Sequence, residues 1–90
     1  MLVAVICTDK PGAIETRKAN RDAHLAYIKG TGVVAQAGPF LDADGMMCGS
    51  LLVLDVDDMA AAQAWADGDP YAKAGLFADV RIEQWNRVVG

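Results

Sequence analysis

Two short runs constrain this chain more than any other feature. Leu2-Val3-Ala4-Val5-Ile6-Cys7-Thr8 and Leu51-Leu52-Val53-Leu54 are apolar at successive positions, not only at alternate ones. Both read as strands, and a strand sends successive side chains to opposite faces. A strand apolar on both faces needs cover on both sides of its sheet. Ninety residues make one small domain, spanning 1–90. At 53% hydrophobic residues and a mean hydropathy of +0.19, the chain is more apolar than a small soluble monomer needs. A second copy of the chain is the simplest cover for the surplus.

The segments around these runs set the element order. Asp9-Lys10-Pro11-Gly12 breaks the first strand; Pro11 suits an early helical position, with Asp9 or Lys10 as the cap. Residues 13–29 carry helix formers with no internal Gly or Pro. Ile14, Lys18, Arg21, Leu25 and Ile28 share one stripe; Arg17, Arg21, His24 and Ile28 share an overlapping one. His24 therefore falls at the border of the buried face. Gly30-Thr31-Gly32 ends the helix. Residues 33–40 read as a second strand, with Gly38-Pro39 marking where its pairing stops. Asp44-Gly45 is a hairpin signal, and 46–56 is the third strand.

Asp57 or Asp58 caps a second helix running to about Asp67, with Met59, Ala62, Trp65 and Ala66 on one side and Gly68 as its stop. Asp69 and Pro70 read as the cap and first residue of a short extra helix ended by Gly75. In 77–85, Val80 and Ile82 alternate with Arg81 and Glu83, the pattern of an edge or half-exposed strand.

The order β-α-β-β-α-β predicts an α+β, ferredoxin-like fold: a four-stranded antiparallel sheet with two helices on one face, plus the short extra helix. Strand order 4-1-3-2 makes the first and third strands neighbours, which suits their two apolar faces. Val3, Val5, Leu51 and Val53 alternate with Ala4, Ile6, Leu52 and Leu54, and one set lacks helix cover. A homodimer through the sheet face is the expectation. Trp65 and Trp85 read as core and interface.

Charge and motifs narrow the function classes. Eight basic against twelve acidic residues give a net charge of -4, with no basic patch suited to nucleic acid or an anionic membrane. The run Leu2 to Cys7 is too short for a signal peptide or a membrane span, so a cytoplasmic location is expected. Two cysteines make no disulfide framework, and there is no CxxC, HExxH, GxGxxG or P-loop. No metal and no cofactor are expected. Cys7 and Cys48 fall at the same end of the sheet, and they read best as small apolar residues.

His24 is the chain's one histidine. Asp69 either merely caps its turn or also reaches His24; the two roles are compatible. Arg21 offers a planar fork for a substrate carboxylate, against an ion pair with Asp22, Glu15 or Asp69. Arg17 reads as solvated. Tyr71 turns its phenol into a pocket or packs its ring over the helix. Gly38 and Pro39 let backbone pass close to a ligand, or simply stop the strand. Ser50 has no clear base beside it and is not assigned as a nucleophile.

Several pieces run in order along nearly the whole chain: Arg21-Asp22-Ala23-His24-Leu25, Ala37-Gly38-Pro39, Gly49-Ser50, and Asp69-Pro70-Tyr71-Ala72-Lys73-Ala74-Gly75-Leu76-Phe77. In this set the chain resembles the YciI-like (YCII-related) family. The resemblance implies a dimeric α+β barrel and a catalytic pairing of His24 with Asp69. It implies a site more than a substrate. The leading expectation is a small-molecule enzyme of lyase or isomerase type, using that acid–base pair on an anionic or enol-bearing ligand. The alternative is a non-catalytic ligand-binding or accessory protein using the same pocket. A monooxygenase-type relative on the same architecture ranks lowest, because fold alone does not transfer function.

Overall fold

A computed structural model describes residues 1–90 throughout. The elements are β1 (Leu2–Asp9), α1 (Ile14–Thr31), β2 (Val34–Leu41), β3 (Met47–Asp55), α2 (Met59–Gly68), α3 (Pro70–Lys73) and β4 (Phe77–Trp85). The sheet runs β2-β3-β1-β4 with every pairing antiparallel. This is the ferredoxin-like α+β arrangement, the subunit fold of the dimeric α+β barrel class, with the doubly apolar β1 and β3 at its centre. α1 lies over β2, α2 over β1 and β4, and α3 is wedged against both helices.

Register decides which side chains share a face. Val3 pairs with Leu54, Val5 with Leu52 and Cys7 with Ser50. The helix-facing set is therefore Val3, Val5, Cys7, Leu52 and Leu54, which pack with Ala62, Trp65 and Ala66 as the core. The sequence grouping of Val3 and Val5 with Leu51 and Val53 is thus corrected: Leu51 and Val53 share the other face with Ala4 and Ile6. Phe40 opposite Gly49, and Trp85 opposite Leu2, flank that second face. Leu51, Phe40 and Trp85 remain exposed there. Trp65, by contrast, is core.

Local signals placed most boundaries, with three corrections. First, neither Asp9 nor Lys10 caps α1. The N-cap is Ala13, which makes no side-chain hydrogen bond, and Pro11 sits in the preceding turn. Asp9 is unavailable as a cap because its carboxylate is committed to Arg17.

Second, Gly38-Pro39 does not stop β2, which runs on to Leu41. β2 is an edge strand, where a residue without an N–H is tolerated. Third, the buried residues of α1 are Arg17 and His24, while Leu25 stays exposed. The helix presents its polar stripe inward because a cavity lies beneath it.

Other ends follow their signals. Gly32, at φ 66°, supplies the left-handed cap of α1. Asp58 caps α2 by accepting from the Ala61 N–H at 2.8 Å. β4 is an edge strand, and Ile82 packs on the core while Arg81 and Glu83 stay exposed. Cys7 and Cys48 are both free thiols; Cys48 Sγ donates to the Phe40 carbonyl at 3.6 Å.

Candidate active site

A cavity of about 160 Å³ lies between α1 and the β2–β3 side of the sheet. α1 contributes Arg17, Arg21 and His24, whose spacing of four and three puts them on one helical face. Leu25 and Ile28 from the same helix, with Leu52 and Met47 from β3, supply apolar wall. Ala37, Gly38 and Pro39 form the β2 side, Ser50 the floor, and Tyr71 the α3 side. Five residues singled out from sequence — His24, Arg21, Gly38, Pro39 and Tyr71 — therefore line one space. Asp69 stands behind His24.

The short helix α3 holds the carboxylate. Asp69 is the N-cap of α3, and its Oδ1 accepts the Tyr71 backbone N–H at 3.0 Å. The same oxygen lies 2.8 Å from His24 Nδ1. Asp69 is 2% exposed and His24 7%, so the bond is formed away from water. The cap role and the contact with His24 thus coexist in one oxygen. An ionised carboxylate only accepts, so it favours the tautomer with the proton on Nδ1 and leaves Nε2 with its lone pair.

The Tyr71 ring stacks on the imidazole, with centroids 3.9 Å apart and planes 15° from parallel. Phe77 meets the Tyr71 ring edge-on at 6.1 Å. The ring is buried, packed as well as pocket-lining. Burial pushes the Tyr71 phenol pKa up, although the Arg17 and Arg21 charges oppose the rise. At neutral pH the phenol is a protonated hydrogen-bond donor.

Arg17 corrects the sequence reading most sharply: it is 3% exposed, not solvated. Its Nε and Nη2 meet the two Asp9 carboxylate oxygens at 2.8 and 2.9 Å, and Nη2 also donates to Ser50 Oγ at 2.9 Å. Its guanidinium carbon lies 4.8 Å from the Tyr71 ring centroid. Burial by itself would lower the Arg17 pKa, but the Asp9 hydrogen bonds and charge more than offset it, so the guanidinium stays charged. A buried charge persists only when paired, and Asp9 is the pair.

Arg17 and Asp9 cancel, which leaves Arg21 as the cation facing the cavity without a carboxylate partner. None of Asp22, Glu15 or Asp69 engages it.

Sequence reasoning missed Arg17 and Ser50 as site residues. Both carried a signal. Arg17 sits seven residues before His24, two helical turns along one stripe. Ser50 is a polar residue among otherwise apolar helix-facing positions of β3. Gly49, next to it, is fixed by packing, because a Cβ there would run into the Cys7 carbonyl oxygen on β1.

Comparison with known proteins converges on one family. Residues 1–86 match the YCII-related domain. The chain is similar to the Escherichia coli protein YciI, 33% identical over 98% of this chain and 99% of that one. An uncharacterized protein of Haemophilus influenzae is 30% identical over the same shares. Among solved structures, it is similar to 5-chloro-2-hydroxyhydroquinone dehydrochlorinase (TftG) from Burkholderia phenoliruptrix, in complex with 2,5-dihydroxybenzoquinone. That match has a TM-score of 0.89 at 34% identity, covering 96% of this chain and 94% of that one.

An antibiotic biosynthesis monooxygenase matches at a TM-score of 0.59 and 15% identity, over 99% of this chain and 100% of that one. That likeness shows the fold alone. Motifs in order, the whole-chain match and the shared fold agree, and this chain belongs to the YCII-related family.

Proposed function

We propose that this protein is a small-molecule enzyme of lyase or isomerase type, acting by acid–base chemistry on a hydroxylated, enolisable ring. The observation that carries the reading is the His24–Asp69 hydrogen bond, buried at the wall of a cavity of matching size. An engineered apolar cavity of about 150 Å³ holds benzene, so about 160 Å³ accepts a single six-membered ring. The apolar walls suit the ring; Arg21, Ser50 and Tyr71 suit its oxygens. A similar solved structure, a dehydrochlorinase 34% identical to this chain and in complex with 2,5-dihydroxybenzoquinone, supports the same ligand class.

In this reading His24 Nε2 takes the proton of a ring hydroxyl. The freed electron pair forms the C=O bond and pushes ring electrons onto a carbon, where the imidazolium returns the proton. That sequence is a keto–enol isomerisation with no net change in atoms. Where the newly protonated carbon bears a leaving group, removal of a second hydroxyl proton drives the leaving group off as an anion, which is a lyase reaction. Asp69 holds the imidazole and stabilises its cation; Arg21 stabilises the enolate. Such general acid–base catalysis contributes on the order of 10²–10⁴-fold.

The test is turnover of chlorinated hydroxyhydroquinones, followed by chloride release. His24→Ala should abolish release while the far-ultraviolet dichroism stays native. Ring ligands that bind wild type and His24→Ala equally, with no turnover by either, would mark the protein as a ligand-binding module instead.

The exposed face of the sheet belongs to the same proposal. Leu51, Phe40 and Trp85 are 36%, 42% and 40% exposed there, around the buried Val53 and Ala4. Burying such side chains stabilises by roughly 1.5–3 kcal/mol each, so a second copy packed face to face is favoured. Sedimentation as a monomer at micromolar concentration would refute the dimer. No helix is long and apolar enough to cross a membrane.

A further inference from the structure

The contact between Asp69 and His24 depends on how the chain leaves α2, and a residue outside the cavity holds that exit in place. In a regular helix the Asp69 N–H would bond the Trp65 carbonyl four residues back. It bonds the Ala66 carbonyl instead, at 3.3 Å, so the last turn is tightened where the chain bends into α3. The Tyr27 hydroxyl donates to the Trp65 carbonyl at 2.8 Å and takes the place of the Asp69 N–H.

The surroundings of Tyr27 fix its ring. It packs against Trp65, with centroids 4.9 Å apart. Trp65 Nε1 donates to Thr31 Oγ1 at 2.9 Å, and that hydroxyl donates to the Tyr27 carbonyl at 3.0 Å. A Cβ at position 68 would lie 2.6 Å from the phenol oxygen. Gly68 does not have a positive φ, so room for the phenol is what calls for glycine there. Burial, and after it the Asp69 charge, push the Tyr27 pKa up, so the phenol keeps the proton it donates.

Tyr27 and His24 lie three residues apart on α1, neighbours on one face. Their partners, the Trp65 carbonyl and the Asp69 carboxylate, lie four residues apart across the junction of α2 and α3. Helix α1 thus grips that junction at two points. Resting on the acid–base reading above, we infer that Tyr27 is a positioning residue, which holds the Trp65 carbonyl and so keeps the Asp69 carboxylate on His24 Nδ1. Tyr27 stands outside the cavity and acts through Asp69 alone.

The experiment reads the imidazole directly. His24 is the one histidine, so the untagged protein gives a single pair of ring-nitrogen signals. Long-range proton–nitrogen NMR at a pH where the ring is neutral tells which nitrogen carries the proton, and wild type should carry it on Nδ1. Tyr27→Phe removes the hydroxyl and keeps the ring. It should move part of the proton population to Nε2 and lower kcat about 10- to 100-fold with KM within about twofold, the scale of loss when a group is displaced by about 1 Å.

Gly68→Ala pushes on the same hydroxyl and should act in the same direction; it carries the test if Tyr27→Phe does not fold. The double variant Tyr27→Phe/Gly68→Ala should lose less than the sum of the two singles, because both break one contact. Thr31→Val cuts the Trp65 Nε1 bond but leaves the Tyr27 hydroxyl on its carbonyl. It should lower the melting temperature and leave the nitrogen signals in place. Signals unmoved in both Tyr27→Phe and Gly68→Ala, or moved as far by Thr31→Val, overturn the inference. A wild-type ring with its proton on Nε2 overturns the acid–base reading, and this inference with it. Wild type that turns over no ring substrate overturns that reading alone, since the nitrogen signals still decide whether Tyr27 positions Asp69.

Discussion

Replacing Arg17 by methionine tests whether the site's foundation is electrostatic. The substitution removes both hydrogen bonds to Asp9 and the one to Ser50, yet keeps an apolar stem of similar length. Asp9 is left as a carboxylate whose side chain is 6% exposed, with no counter-charge. Breaking a buried pair from one side costs about 3–5 kcal/mol, because the remaining charge is stranded. The position over the Tyr71 ring adds about 0.5–2 kcal/mol, part of which the methionine recovers by packing.

A domain of this length has a total stability of roughly 4.5–13.5 kcal/mol at the usual value per residue. Arg17→Met therefore removes a large share of it, and the melting temperature should fall by about 12–40 °C. The double variant Asp9→Leu/Arg17→Met removes both charges and should regain most of the loss, since apolar replacement of a buried pair is often neutral.

Urea unfolding followed by Trp65 fluorescence, at one fixed protomer concentration, gives all the corners of the cycle. If Arg17→Met costs less than about 1 kcal/mol, or the double variant is no more stable than the single, then the Arg17–Asp9 pair does not support the site electrostatically.

Four further outcomes follow from the structure. Gly49→Ala should destabilise by at least about 1–3 kcal/mol or fail to fold, since its Cβ meets a backbone carbonyl on β1 and the Phe40 ring at 3.3 Å; thermal melting checks it. Asp58→Ala should cost about 0.5–2 kcal/mol in urea unfolding by removing the α2 cap.

Cys7 should resist alkylation at pH 8 while Cys48 reacts, because burial, with a smaller push from the Asp69 charge, raises the Cys7 thiol pKa from 9.0 to about 12. The raised folded pKa means the associated stability is complete below pH 9 and lost as pH rises toward about 12; a pH series of melts should show that fall, and Cys7→Ala should flatten it. Asp69→Asn should lower turnover by about 10²–10⁴-fold and also lower stability, whereas His24→Ala should affect turnover far more than melting.

The sequence by itself determined the architecture. Apolar runs at Leu2–Cys7 and Leu51–Leu54, apolar at successive positions, required central strands, and Gly and Pro at the breaks set the element order. These are local signals of period and backbone freedom, so they are legible without contacts. Asp58 and Asp69 announced helix starts for the same reason.

Tertiary structure alone decided the face assignments and the site's charge balance. Val3 shares a face with Leu54 and Leu52, not with Leu51 and Val53, because register depends on pairing between distant strands. Arg17 looked solvated because helical periodicity describes its own helix and says nothing of Asp9, which arrives at the end of β1.

The His24–Asp69 contact was not forced by topology either. It exists because α3 docks between the other two helices and brings its capping oxygen to the His24 ring. Whether a polar side chain is a solvated surface group or the floor of a pocket is settled by what the rest of the chain places over it. That is a long-range fact, and a linear pattern does not carry it.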